Sequence, residues 1–167
     1  MSVLVTYGSK RGGTEGLARM IADGLREAGL TVELAPAGKV RSVDGYDGMV
    51  VGGALYAFRW HRDARRFVRR CSAALSRRPV YFFSSGPLDA SATQKDIPPV
   101  KGVGKLMRRV GARGHATFGG RLTPDAKGFP ASAMAKKQSG DWRDPAQVRA
   151  WTATIAPGLR SGVAQGV

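Results

Sequence analysis

The stretch Val3–Thr14, VLVTYGSKRGGT, decides the fold predicted for this chain. An apolar, β-rich run ends at Tyr7, and a short loop of Gly, Ser and two cations follows it. From Thr14 onward, apolar residues recur on one face of a predicted helix until Gly29. A strand, a Gly-rich loop and a helix in this order point backbone N–H groups and the positive end of the helix at one place. The sequence therefore predicts a phosphate site.

The residues of this loop suit that ligand. The hydroxyls of Ser9 and Thr14 can donate hydrogen bonds to a phosphate, and Lys10 and Arg11 can add positive charge. Gly12–Gly13 leaves the backbone bare for close approach. A tight Gly turn that only joins strand to helix is the structural alternative.

Two familiar phosphate loops do not fit the sequence. A Walker A loop needs Lys after its second Gly, but here Thr14 follows Gly13. A dinucleotide-binding Rossmann unit needs an acidic residue about 20 positions further on. The second predicted strand ends instead in Leu34–Gly38, LAPAG, which has no carboxylate for a ribose. We therefore expect a mononucleotide, held by one phosphate.

Length and composition indicate one domain. The 167 residues suffice for a single core, and we expect a domain over residues 1–160 followed by a loose tail at 161–167. No apolar run approaches the roughly 18 residues that span a bilayer, and no signal peptide is expected. The single cysteine, Cys71, excludes an internal disulfide and is expected to pack in the core. These features predict a cytoplasmic protein.

Positive charge is the unusual property of this composition. The chain has 27 Lys and Arg against 12 Asp and Glu, a net charge of +15. Such a surface attracts acidic proteins, anionic lipid and, at low salt, nucleic acid. No motif for specific nucleic-acid binding is present, so none is expected. Arg59–Arg78 contains eight of the arginines and reads either as a solvated helix face or as a binding face.

Apolar runs alternate with helical patterns along the chain. The runs predict five strands, and the patterns between them predict helices, among them one over His61–Leu75; the strands are expected at Val3–Tyr7, Thr31–Ala35, Met49–Gly53, Val80–Ser84 and His115–Phe118. This order predicts an α/β three-layer sandwich around a five-stranded parallel sheet. Ligands of such sheets bind beyond the carboxyl ends of the strands. That rule selects the loops Gly8–Thr14, Ala54–Trp60 and Ser85–Ser91.

These three loops resemble those of the flavodoxin family. Tyr7–Glu15 is similar to the family's phosphate loop, although Lys10 and Arg11 stand where hydroxyl residues are usual. Gly52–Tyr56 and Ser84–Asp89 are similar to the two loops that flank the flavin. The resemblance implies a flavodoxin-like fold with FMN as cofactor. It places FMN against Ser9, Lys10, Arg11, Gly12, Gly13, Thr14, Ala54, Leu55, Tyr56, Ser85, Gly86, Pro87 and Asp89.

The flavin ring needs a flat apolar wall and hydrogen bonds at its polar edge. Tyr56, Phe58 and Trp60 are expected to supply the wall, with Tyr56 the first choice for stacking. The backbone of Ser85–Gly86 is expected to meet the polar edge. A core-capping role for the three aromatic residues is the alternative. Gly86–Asp89 contains no aromatic residue, where many flavodoxins have a Tyr.

Within this family the chain is most similar to the menaquinone-dependent protoporphyrinogen IX oxidases of heme biosynthesis. The similarity rests on Tyr56, Trp60–His61, the Arg65–Arg70 helix and Gly140–Trp142. It implies an FMN-dependent oxidoreductase that oxidises protoporphyrinogen IX or a related substrate and passes electrons to a quinone or another acceptor, with possible contact to the inner face of a membrane. The region Leu122–Gly140 is shorter than the helical insertion of that branch.

The sequence also permits other functions and suggests further site residues. The alternative to this oxidoreductase is a non-catalytic FMN electron carrier that docks an acidic redox partner through its arginine-rich face, and a third possibility is a member of the family that has lost the flavin. His61, beside the flavin loop, is a candidate for proton transfer, and His115 is expected to be structural. No His, Asp or Glu cluster has metal-ligand spacing, so no metal is expected.

Overall fold

A computed structural model describes residues 2–9, 13–86, 91, 96–122, 140–141 and 143–165 of the chain. The strands are β1 (Ser2–Gly8), β2 (Thr31–Pro36), β3 (Gly48–Tyr56), β4 (Arg59–Trp60), β5 (Val80–Ser85), β6 (Gly114–Phe118), β7 (Arg121–Leu122) and β8 (Gly140–Asp141). The helices are α1 (Gly13–Glu27), α2 (Arg62–Arg70), α3 (Ser72–Leu75), α4 (Lys101–Val110) and α5 (Pro145–Gln165), with a 3₁₀ turn at Ala37–Lys39.

The main sheet has five parallel strands in the order β2-β1-β3-β5-β6. This arrangement confirms the predicted α/β fold. After β1 the chain moves outward to β2 and then returns to place β3 on the other side of β1, so the strand order reverses between β1 and β3. The register pairs Gly8 with Gly53 and Ala54 with Ser85, which brings the carboxyl ends of β1, β3 and β5 to one edge.

Successive side chains of each strand point to opposite faces of the sheet, so the protein has one hydrophobic core on each face. In β1, Val3 and Val5 pack with α1 and α5, whereas Leu4 faces the opposite layer. That second layer contains α2, α3 and α4, which cover Met49 and Phe82 of the sheet. Both faces of the parallel sheet are thus buried, as the continuous apolar character of its strands predicts.

Local signals explain how the first helix ends. Gly29 has φ +90°, a conformation that favours glycine, and its N–H donates to the carbonyl of Arg26 at 2.9 Å. The Leu30 N–H donates to the carbonyl of Leu25 at 3.1 Å. These bonds satisfy carbonyls at the end of α1, so the stop predicted at Gly29 is confirmed.

The structure differs from the sequence-based boundaries in the second layer. The single helix predicted over His61–Leu75 is interrupted at Cys71, whose φ of −101° and ψ of 13° end α2 before α3 begins. Cys71 is partly buried against this core, in agreement with its expected packing role.

The last helix is longer than the sequence suggests. It continues to Gln165, through Pro157, although a loose tail is predicted from residue 161. Arg113, just before β6, explains part of this extension because its Nη1 donates to the Gly158 carbonyl and to Ser161 Oγ, both at 2.8 Å. Among the described residues, no helix has the length and apolar character needed to cross a membrane.

A buried hydroxyl on β1 gives a test of this packing. Thr6 is fully buried, and its Oγ1 has no hydrogen-bond partner among the described residues. Thr6→Val should raise the free energy of unfolding by about 1 kcal/mol, because it removes an unsatisfied polar group at nearly constant volume. Urea unfolding of the cofactor-free protein measures the change.

Thr117 is the matched control for this substitution. It is also buried in the sheet, but its Oγ1 donates to the carbonyl of Ile97 at 3.1 Å. Thr117→Val should therefore lower the free energy of unfolding by about 1 kcal/mol. Equal losses of unfolding free energy in the two variants would show that the Thr6 hydroxyl is as well hydrogen-bonded as that of Thr117.

Candidate functional site

The predicted phosphate loop lies at the carboxyl end of β1. Ser9 follows the strand directly and is partly buried, and Gly13 is the first residue of α1. Thr14, in the first turn of this 15-residue helix, is 1% exposed. Its position beside the positive helix end is the one the sequence predicts. Lys10, Arg11 and Gly12 lie outside the described residues.

The second predicted loop is the tip of a β-hairpin. Ala54, Leu55 and Tyr56 end β3, and the antiparallel strand β4 pairs Tyr56 with Arg59. The two residues between them, Ala57 and Phe58, have φ angles of 48° and 64°. Positive φ at both central positions is typical of a two-residue hairpin turn, where Asn-Gly is usual. The sequence carries no such signal, and the hairpin was not predicted.

The third predicted loop begins beside the second. Ser85 ends β5 and is buried, and the Gly86 N–H donates to the carbonyl of Phe118 at 3.1 Å. A Cβ at Gly86 would lie 2.8 Å from Cδ1 of Leu55, so the ends of β3 and β5 touch. Pro87 and Asp89 lie outside the described residues.

The three aromatic residues predicted to form one wall lie in three different environments. Trp60 is 2% exposed and packs on Phe82 at 4.8 Å between ring centroids. Phe58 is 84% exposed at the hairpin tip. Only Tyr56 remains partly buried at the carboxyl edge of the sheet. The prediction of a common wall is wrong, because the hairpin returns Trp60 to the core and leaves Tyr56 alone of the three at the carboxyl edge.

His61 is a buried helix cap and not an exposed residue at the rim. Its side chain is 7% exposed, and Nδ1 accepts a hydrogen bond from the Asp63 N–H at 3.1 Å at the start of α2. Its ring lies edge-on to Tyr56, with centroids 6.1 Å apart. This geometry makes His61 the N-cap of α2, and its part in proton transfer stays a prediction.

A buried polar chain lies behind the carboxyl edge. Trp60 Nε1–H donates to Ser84 Oγ at 2.8 Å, and Ser84 Oγ lies 2.9 Å from His115 Nε2. Because the indole can only donate, the Ser84 hydroxyl accepts from it and has its own proton available for His115. Nδ1 of His115 is buried with no hydrogen-bond partner among the described residues. No sequence pattern could have identified this chain.

Basic side chains surround a groove next to the hairpin. The groove has a volume of about 860 Å³ and lies between α2, α4 and the hairpin. We call it the basic groove and define it by its six cations, Arg59, Arg65, Arg69, Lys101, Lys105 and Arg109. The sequence marks Arg59–Arg78 as a candidate binding face and also predicts a basic helix near Val100–Val110, but it does not indicate that cations of both helices line one groove.

The family of the chain follows once this geometry is compared with known proteins. A family model described as the flavodoxin domain matches residues 4–135. The chain belongs to the flavodoxin family. The match includes all three strand ends of the site, and the flavodoxin domain implies FMN as the cofactor, as predicted.

Solved structures share this flavodoxin fold at low sequence identity. An archaeal flavodoxin is 14% identical, with a TM-score of 0.63 over 96% of this chain and 99% of its own. A flavodoxin variant from Pseudomonas aeruginosa is 16% identical, with a TM-score of 0.60 over the same shares. Rubredoxin oxygen:oxidoreductase from the anaerobe Desulfovibrio gigas is 17% identical, with a TM-score of 0.64 over 98% of this chain.

These likenesses show the fold alone. This chain spans only 37% of the length of the Desulfovibrio gigas enzyme. No curated protein matches the sequence. The similarity to protoporphyrinogen oxidases therefore has no support beyond the flavodoxin domain itself.

The residues at the carboxyl edge fit FMN. A phosphate dianion is matched by the first-turn N–H groups of α1 and the hydroxyl of Thr14. Beside them, β3 and β5 end in Tyr56, with an aromatic ring, and Ser85, with a hydroxyl. Apolar and polar groups thus converge where the fold places a ligand.

His115 provides a pH test of the buried polar chain. Burial lowers the pKa of His115 to about 4, and the charge of Asp96 opposes this shift. An unfolded histidine titrates near pH 6.5, so between these values the unfolded chain binds more protons than the native protein. Stability should therefore fall as the pH is lowered from about 6.5 to about 4, and His115→Gln should reduce this loss.

NMR of the ring protons checks the same point directly. The chain has two histidines, so the resonances are easily assigned with the His115→Gln variant. A native His115 that titrates near 6.5 would contradict the buried, neutral state described above.

Proposed function

We propose that this protein, acting as a single domain over residues 1–160, binds FMN at the carboxyl edge of its sheet and transfers electrons between redox partners. The observation that carries the proposal is the convergence of three strand ends at the point where the strand order reverses, with Thr14 buried in the first turn of α1. The family match to residues 4–135 supports the same site.

Each loop has its own part in the proposed site. Ser9, Gly13 and Thr14 hold the phosphate, together with Lys10, Arg11 and Gly12 of the same loop. Ala54, Leu55 and Tyr56 flank the ring on one side. Ser85 and Gly86, with Pro87 and Asp89, meet its polar edge.

The protein's own residues determine how such a cofactor would behave. When bound, FMN supplies one- and two-electron redox chemistry. Tyr56 excludes water from one side of the flavin ring and orients the ring. The N-terminal end of α1 and Thr14 fix the phosphate. Arg59, exposed on the hairpin that Tyr56 begins, adds positive charge near the place where reduction adds electrons.

Flavin binding tests the proposal. The purified protein should bind FMN at one-to-one stoichiometry in an absorbance titration, and Thr14→Val should weaken binding roughly ten- to hundredfold by removing a hydrogen bond to a charged group. Thr154→Val is the matched control because Thr154 is exposed on α5 and bonds only locally, to the Ala150 carbonyl. Absence of binding at saturating FMN would overturn the proposal.

The basic surface predicts an easily reduced flavin. A unit charge at about 8 Å in a medium of effective dielectric about 40 contributes about 1 kcal/mol, so the two-unit change of Arg59→Glu should lower the two-electron potential by about 40 mV. Arg77→Glu makes the same charge change at the opposite edge of the sheet, between α3 and β5, and should have little effect. Equal shifts in both variants would show that only net charge matters.

Oxidation of protoporphyrinogen IX, with a quinone as acceptor, is a second candidate function. The observation that favours it is the basic groove, which suits an anionic organic substrate and lies against the hairpin of the flavin site. Porphyrin fluorescence in the presence of protoporphyrinogen IX and a menaquinone analogue tests it. FMN-dependent formation of porphyrin would establish protoporphyrinogen IX oxidation as the activity. FMN binding without porphyrin formation would favour electron transfer between redox partners.

A further inference from the structure

The basic groove is an electrostatically unfavourable arrangement for the isolated protein. On α4, Lys101, Lys105 and Arg109 follow one another at intervals of four residues, which places like charges on one helix face. Arg65 and Arg69 repeat the same spacing on α2. None of the groove's lining residues is acidic, and none of its cations forms an ion pair within the described part of the chain.

Little of this charge is needed for the fold. Arg65 Nε donates to the Trp60 carbonyl at 3.1 Å, and Arg109 Nε donates to Ser72 Oγ at 3.2 Å. Lys101 and Lys105 are exposed. The repulsion along the groove is relieved only by anions, so the groove is suited to an anionic ligand.

The hairpin tip adds an apolar contact at the mouth of the groove. Phe58 lines the groove and is the large hydrophobic side chain that the described residues leave exposed, at 84%. Its φ of 64° is costly for a bulky residue, and a Gly would meet the needs of the turn better. Because Phe58 buries little of its ring in the fold, its side chain is available for contact with a partner.

From these observations we propose that the basic groove and Phe58 form a docking site for an acidic segment of a redox protein partner. Carboxylates one helical turn apart in that segment match the rise of about 6 Å between the α4 cations. Phe58 inserts into an apolar pocket of the partner. The redox role rests on the proposed function, because the hairpin that carries Phe58 also carries Tyr56 of the flavin site.

The shape of the site favours a protein over other polyanions. A bilayer is flat and would leave a concave groove of about 860 Å³ unfilled. Single-stranded nucleic acid is bound by successive aromatic platforms, whereas one exposed aromatic residue is found here in the described part of the chain. A convex acidic segment with an apolar flank fits both the charge and the aromatic side chain.

Binding of a model peptide tests the proposal. The probe is a fluorescein-labelled acidic helix of about four turns, with glutamates one turn apart and leucines between them. Anisotropy is measured at low salt with the full chain, both without and with FMN. Lys101→Glu/Lys105→Glu should weaken binding about tenfold or more, because two cations of the groove are reversed.

A matched pair of substitutions distinguishes binding by the basic groove from the effect of net charge alone. Arg66→Glu/Arg108→Glu changes the net charge equally at exposed positions of α2 and α4 that do not line the groove, and should weaken binding less than about twofold. Phe58→Gly should weaken binding several-fold while keeping the midpoint of thermal unfolding, since it removes an exposed ring and relieves the positive φ.

Each result decides the proposal. Equal loss in the two charge-reversed pairs, or no binding of the peptide, would overturn it. Tighter groove-dependent binding of an oligothymidine strand or of phosphatidylglycerol vesicles would overturn it in favour of that ligand. FMN titration of the same variants should be unchanged, so failure of the flavin proposal would be seen separately from failure of the docking site.

Discussion

Two adjacent glycines in the central strand β3 determine how the sheet packs and where its loops lie. A Cβ at Gly52 would overlap the ring of Phe83, and a Cβ at Gly53 would lie 2.8 Å from Cγ of Trp60. The two aromatic rings therefore rest directly on the backbone, one on each face of the sheet. A side chain at either position would displace a fully buried ring from its core.

The position of Trp60 connects this packing to the site. Its ring lies over Gly53, and the chain reaches this position by turning back directly after Tyr56 through a two-residue hairpin. The turn leaves Phe58 in solvent and places His61 as the cap of α2. One buried ring thus fixes the loop that flanks the proposed flavin and one side of the basic groove.

Elements with strong local signals were predictable from the sequence. Hydrophobic periodicity located all five parallel strands, and Gly29 marked the end of α1, because each of these depends on neighbouring residues alone. The position of Thr14 in the first turn of α1 was predictable for the same reason, since a strand, a Gly-rich loop and a helix follow one another in the sequence.

Features that depend on distant contacts were not predictable. Tyr56, Phe58 and Trp60 alternate in the sequence, but Ala-Phe gives no turn signal, so their separate environments follow only from the packing of Trp60 on Gly53 and Phe82. The basic groove combines cations from α2 and α4, about 40 residues apart in the chain, and appears only when both helices cover the same sheet face.

The chain has a net charge of +15 and offers two places that suit an anion. The proposed phosphate site lies at the first turn of α1, where backbone N–H groups converge, whereas the neighbouring basic groove is lined by charged side chains. Both attract anions, but only the first combines a buried hydroxyl with a helix end and an adjacent aromatic ring.

A crystal structure of the protein with FMN compares these two sites most directly. We expect the phosphate at the start of α1, within hydrogen-bond distance of the Thr14 hydroxyl, and the flavin ring against Tyr56. A phosphate bound among the cations of the basic groove, with the first turn of α1 making no contact to it, would contradict the account.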